Sequence, residues 1–299
     1  MKNKLYDLSI KKIIKYGRKK YYPLTIKGIA RILTTEEVRN NNKKISEVID
    51  KVLNGESIYD ALKGFDATQT QERVAEYGFF SSILKDFTDI AVLDIGCVLN
   101  NINVKDVLKE HCNSVWFCNV AFEPICIDVP VYYHISTLEN AALNNFKFPL
   151  VTCFSTIEHI GYDNSQYDSS IPAKYTVPQN ESLISAVKKL GLFVEPGGTL
   201  LISVPFGYRE VVKHPATGKI SSQIFDSESM NLAIETLISL GFEAELIVFE
   251  AVKNGWVNVG PANCHAKYAL ITPGAGAVAI IKAISNQENF QHKKRTISS

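Results

Sequence analysis

From residue 90 onward the chain alternates short apolar runs with stretches of helical spacing, and this alternation constrains its fold more than any other feature. The runs cover residues 90–95, 114–121, 131–135, 150–155 and 198–204, and two further strands are expected at 243–252 and 277–284. Residues 104–111, 181–194 and 227–240 read as helices. Residues 70–84 read as another, because Val74, Tyr77, Phe80 and Leu84 recur three or four apart. Apolar runs too short for helices, alternating with helices, are the signature of a parallel sheet covered on both faces. The expected fold class is α/β, a mostly parallel seven-stranded sheet with helices on both faces.

The first 66 residues differ in character. Residues 1–31 hold ten Lys or Arg against one acid, Asp7, with Leu5, Leu8, Ile10, Ile13 and Ile14 between them. Further helical stretches are expected at 45–53 and 57–62, so residues 1–66 are expected to form a basic helical appendage. The body is expected at 67–285, and residues 286–299 are expected to form a polar, mobile tail. The basic arm reads either as a solvated helix packed by one apolar stripe or as a surface for anionic lipid, lipid-linked sugar or nucleic acid. Over the whole chain 32 Lys and Arg nearly cancel 31 Asp and Glu, which gives no general case for nucleic acid.

No stretch approaches the roughly 18 apolar residues that span a membrane, and the opening residues lack a signal-peptide core. A cytoplasmic protein is expected. The six cysteines, Cys97, Cys112, Cys118, Cys126, Cys153 and Cys264, form no CxxC pair and read as buried thiols, with no metal site expected.

The strongest local feature is Val92-Leu93-Asp94-Ile95-Gly96-Cys97, a strand ending in an acid and a glycine. Open α/β sheets bind ligands at that carboxyl edge. Glycine allows a tight turn there, and a carboxylate accepts hydrogen bonds from a hydroxyl-bearing or cationic ligand. A GxGxxG fingerprint would need glycines where Val98 and Asn101 stand, so a dinucleotide is disfavoured. A cofactor without phosphates tolerates a less glycine-rich turn.

These residues resemble motifs of class I S-adenosylmethionine-dependent methyltransferases, in that family's order. Residues 72–77 (ERVAEY) are similar to the helix before the first motif, and residues 92–97 to the first motif itself. Residues 154–161 (FSTIEHIG) are similar to the loop after the fourth strand, and residues 195–205 to the approach to the fifth. The form of the last two is similar to methyltransferases associated with polysaccharide biosynthesis. The resemblance implies a Rossmann-like fold and S-adenosylmethionine as cofactor, held by Tyr77, Asp94, Gly96, Cys97, Asn100, Ser155 and Thr156. Ala121 stands where the family's ribose-binding acid is usual, which leaves Glu123 as the substitute.

Methyl transfer needs alignment and exclusion of water more than strictly catalytic side chains. For a hydroxyl acceptor a base helps, and Glu158, His159 and Asp163 are the candidates, against a reading in which they only order the loop. The polar stretch 162–180 is long for a connection and reads either as a lid, with Tyr162, Tyr167 and Tyr175 placed to stack on a polar acceptor, or as a disordered surface loop. His214 and His265 have no partner at metal-ligand spacing. Expected is methyl transfer to oxygen or nitrogen of a small-molecule or saccharide acceptor. An inactive methyltransferase-like scaffold and a nucleic-acid methyltransferase stand as alternatives, although no NPPY-type motif for a flipped base is present.

Overall fold

The computed structural model describes residues 35–143, 145–162, 179–213, 218, 220–264, 266 and 274–286. The basic arm, Asp163, Tyr167, Tyr175, His214, His265 and the tail from 287 lie outside the described residues.

The chain enters with helix α1 (Thr35–Leu53), whose first turn carries Glu36 and Glu37 at the positive end of the helix dipole. Its buried residues Ile45, Val48, Ile49 and Val52 fall at i, i+3, i+4 and i+7, one continuous stripe. After a one-turn helix α2 (Ile58–Ala61), capped by Ser57, this stripe meets helix α3 (Arg73–Leu84). They pack tightly at Gly78, where a Cβ would lie 2.7 Å from Val48 Cγ1 and 2.9 Å from Ile58 Cδ1 of α2. Residues of α1, α2 and α3 share one hydrophobic cluster with the sheet.

Strand β1 (Ile90–Ile95) leads to helix α4 (Lys105–His111), then β2 (Cys112–Asn119), β3 (Val131–Ile135) and β4 (Phe148–Phe154). Helix α5 (Gln179–Gly191) precedes the long β5 (Val194–Pro205), and the pair β6 (Glu210–Lys213) and β7 (Ile220–Ile224) follows. Helix α6 (Ser227–Ser239), β8 (Phe242–Val252), β9 (Gly255–Val259) and β10 (Ala277–Ser285) complete the fold.

The main sheet has the order β3-β2-β1-β4-β5-β10-β8-β9. Its first five strands are mutually parallel, and β10, β8 and β9 join by antiparallel pairing. This is a Rossmann-like arrangement. It corrects the expected strand count: eight strands stand in the sheet rather than seven, and β6 and β7 form a separate antiparallel pair. The extra strand β9 folds back on β8 through Lys253 and Asn254, with Val252 opposite Gly255.

Both sheet faces are covered, as continuous apolar strands require. Val92 and Leu150 face the cluster containing α1, α3 and α4, whereas Leu93 and Val151 face the cluster containing α5 and α6. The side-chain period of two thus sorts each strand between two cores.

Candidate active site

The connection from β1 to β2 leaves on one side of β1, and the connection from β3 to β4 returns on the other. The carboxyl ends of β1 and β4 therefore flank the topological switch point, where open α/β sheets bind ligands.

The backbone is unusual at both ends. Gly96 has φ +98°, and the next residue, Cys97, has φ +60°; at the end of β4, Ser155 has φ +38°. Left-handed backbones at residues other than glycine cost about 1–3 kcal/mol each and persist only where the surroundings enforce them.

Around Cys97 the enforcement is visible. Asp94 is fully buried; its Oδ2 accepts from the Leu99 N–H at 2.8 Å and its Oδ1 from the Thr152 hydroxyl at 2.7 Å. Both oxygens are thus engaged within the protein, and Asp94 acts on the site by holding the turn. Burial pushes its carboxyl up to about 7, against the two hydrogen bonds. The buried Tyr77 donates its hydroxyl to the Val98 carbonyl at 2.7 Å. The Cys97 thiol is buried, and burial pushes it up to about 12, so it stays protonated.

Asn100 ties this turn to the segment after β2. Its Nδ2 donates to the Pro124 carbonyl at 3.0 Å, and its Oδ1 accepts from the Cys126 N–H at 2.9 Å. Glu123 is exposed on that segment, and its Oε1 accepts from Asn119 Nδ2 at 3.0 Å. The Tyr133 hydroxyl donates to the Ala121 carbonyl at 2.7 Å and accepts from the Glu123 N–H at 3.2 Å, which fixes the chain around both residues.

Ser155 is held from α3. Glu76 is fully buried, and its Oε1 accepts from the Ser155 hydroxyl at 2.6 Å and the Ser203 hydroxyl at 2.5 Å. Its other oxygen pairs with the Arg73 guanidinium. Burial works against the Arg73 charge, but Glu76, Tyr77 and Glu72 together raise its pKa. Glu72 accepts from the Ala275 N–H at 3.0 Å. Motif spacing does not single out Arg73, Glu76 or Ser203. The available signal is a charged pair three apart in an otherwise apolar helix, since buried charges need partners.

Beyond Ser155, the Thr156 hydroxyl donates to the Phe154 carbonyl at 2.7 Å and opens a 3₁₀ turn, Ile157–His159. Glu158 is buried, 3% exposed, and burial raises its pKa well above the usual carboxylate range. His159 Nδ1 lies 2.7 Å from the Ser221 carbonyl. A carbonyl only accepts, so Nδ1 carries the proton and Nε2 holds the basic lone pair in the neutral ring. Burial lowers the His159 pKa, which favours that neutral form. Its Nε2 stands 3.9 Å from Glu158 Oε1. Tyr162 donates its hydroxyl to Gln223 Oε1 at 3.1 Å.

The structure thus gathers Tyr77, Asp94, Gly96, Cys97 and Asn100 at one turn, Glu123 on the segment that Asn100 grips, and Ser155, Thr156, Glu158, His159 and Tyr162 beyond β4. Among the described residues no cluster of three or more His, Cys, Asp or Glu is placed to hold a metal ion, and no helix is long and apolar enough to cross a membrane.

No protein-family model and no curated protein matches the chain. Among solved structures it is similar to the N-methyltransferase NodS from Bradyrhizobium japonicum WM9 in complex with S-adenosylhomocysteine. That likeness has 12% identity, covers 81% of this chain and 98% of that one, and has a TM-score of 0.43. It is similar to the 1,6-didemethyltoxoflavin N1-methyltransferase from Burkholderia thailandensis, with bound 1,6-didemethyltoxoflavin and S-adenosylhomocysteine, at 11% identity over 86% and 93% of the two chains, TM-score 0.42. A third is an S-adenosylmethionine-dependent methyltransferase from Mesorhizobium loti, at 12% identity over 70% and 97%, TM-score 0.43.

Proposed function

We propose that the chain is an S-adenosylmethionine-dependent methyltransferase that moves a methyl group to oxygen or nitrogen of a small-molecule or saccharide acceptor. One observation carries this reading: the left-handed backbones of Cys97 and Ser155 face each other across the switch point, on segments whose residues resemble methyltransferase motifs. Strain concentrated at facing strand ends signals function more than stability.

The donor set fits that cofactor. The turn after β1 offers no run of glycines to cradle a phosphate, and the exposed Glu123 carboxylate suits the ribose hydroxyls. The cofactor when bound supplies an electrophilic methyl on a sulfonium. The chain's own residues orient and deprotonate the acceptor: His159 Nε2 takes the proton, while the Ser221 carbonyl holds the ring in the required tautomer. Glu158 lies beside the imidazole as a second candidate base.

One observation favours an inactive scaffold instead. Asn100 bridges directly to Pro124 and Cys126, closing together the two segments between which a cofactor would lie. Isothermal titration of the full chain with S-adenosylhomocysteine decides between them. Micromolar binding is expected; absence of binding at millimolar ligand overturns the enzyme reading in favour of the scaffold.

A further inference from the structure

We infer that the junction between the Ile157–His159 turn and β7 is a subsite for a neutral, hydroxyl-bearing group of saccharide type, and that Gln223 selects it. This deepens the methyl-transfer reading and rests on it for the reaction, though not for binding.

Among the described residues four buried side-chain polar atoms have no hydrogen-bond partner, and two of them, Glu158 Oε2 and Gln223 Nε2, lie on the two elements of this junction. The other two are the hydroxyls of Ser81 and Ser285, in α3 and β10. Interiors leave few such atoms, and those that remain ask for an explanation. Gln223 is 1% exposed, and its Oε1 is engaged by Tyr162. With the Tyr162 hydroxyl donating to Oε1, the unmatched end of the amide is the Nε2 donor.

The elements carrying the two atoms pack on each other. His159 reaches the Ser221 carbonyl, Tyr162 reaches Gln223, and Ser221 and Gln223 share one face of β7 by the period of two. β7 reads Ile-Ser-Ser-Gln-Ile, and its three polar residues are buried. A strand with a polar buried centre packs poorly as core and well as the wall of a polar site.

The chemistry of the two atoms restricts the ligand. Gln223 Nε2 is a donor and needs an acceptor; the Glu158 carboxyl needs a partner of either kind. An apolar group would leave both unmatched. An ammonium would satisfy Glu158 but offer nothing to the amide. A phosphate or carboxylate accepts from the amide but has no donor for Glu158 in its ionised form. A hydroxyl both donates and accepts, and so matches either atom. The acceptor atom is then an oxygen: its bond to the methyl carbon forms as the carbon–sulfur bond breaks, the sulfur keeps the electron pair, and the hydroxyl proton passes to His159 Nε2.

The test is saturation-transfer NMR of the full chain with methyl α-D-glucopyranoside and N-acetylglucosamine, and with inorganic phosphate as the charged control read by 31P line broadening. Wild-type protein is expected to bind at least one of the neutral sugars and not phosphate, and Gln223→Leu to weaken sugar binding about tenfold or more, the scale of one lost hydrogen bond. Gln223→Leu removes a buried unmatched donor, so the variant is expected to fold, and unchanged S-adenosylhomocysteine affinity would separate a lost subsite from general damage. Absence of binding by both sugars, equal sugar binding by Gln223→Leu, or preferential binding of phosphate overturns the subsite. Sugar binding that depends on Gln223 without any binding of S-adenosylhomocysteine would sustain the subsite and remove the methyl-transfer reading; the reverse pattern would do the opposite.

Discussion

Gly96 and Thr156 touch across the ends of two neighbouring parallel strands. An ideal Cβ on residue 96 would fall 2.8 Å from Thr156 Cγ2 and closer still to its hydroxyl, and Gly96 has φ +98°. The glycine is required by this contact as well as by its backbone. A bulky substitution at 96 therefore reports first on the fold of the two turns and only then on any ligand.

Gly96→Ala should destabilise the protein by more than about 2 kcal/mol in urea denaturation, from strain and overpacking together. Adding Thr156→Gly should restore part of that loss, because it removes the clash and leaves the backbone strain. Full additivity of the two substitutions would contradict the contact.

Glu76 holds Ser155 and Ser203 while pairing with Arg73, so Glu76→Gln should leave the half-buried Arg73 guanidinium without its paired carboxylate. A loss of about 3–5 kcal/mol is expected. Arg73→Met in the same chain should recover much of it, which a double-mutant cycle would measure as a coupling.

Much of this arrangement is legible in the residues. The strands β1, β4 and β5 announce themselves because each carries a run of buried apolar residues on both faces, and the turn after β1 because Asp94 and Gly96 close it. The strand β9 does not, since only Gly255 and Trp256 are buried there and its pairing depends on the turn at 253–254. β7 is hidden for the opposite reason: its buried residues Ser221, Ser222 and Gln223 are polar, and apolar periodicity cannot register them. The position of Asp94 at a strand end points to a ligand, but proximity along the chain cannot show that Leu99 and Thr152 take both of its oxygens. Likewise, Glu76 reaches Ser203 over 127 residues, a relation no local spacing encodes.

The Asp94 carboxyl gives a pH dependence with a definite sign. Its folded pKa is raised by burial from 3.8 to about 7. Between about pH 4 and pH 7 the unfolded chain releases this proton while the folded chain retains it, so stability falls as pH rises. Wild type should lose a few kcal/mol relative to Asp94→Asn across that window, because a tenfold difference in proton affinity between folded and unfolded chains corresponds to about 1.4 kcal/mol. Below pH 4 and above pH 7 the difference should be flat. Urea midpoints of both proteins from pH 4 to pH 8 check it, and a difference that grows in favour of wild type with rising pH would refute the assignment.

His159 provides the corresponding test of chemistry. Its Nδ1–H is committed to the Ser221 carbonyl, so the only lone pair of the neutral ring is on Nε2. Burial lowers its pKa from 6.5, which favours the neutral ring below neutral pH. Once an acceptor is in hand, the rate of methyl transfer should hold as pH falls to 6.5 and decline only below it. His159→Gln should lower the turnover by about 10²–10⁴-fold, the usual contribution of a positioned base, and abolish the acid limb of the profile. S-adenosylhomocysteine affinity should stay unchanged, because the imidazole faces β7 and not the turn after β1. An acid limb that persists in His159→Gln would assign the base to Glu158 instead, whose Oε1 stands 3.9 Å from the imidazole.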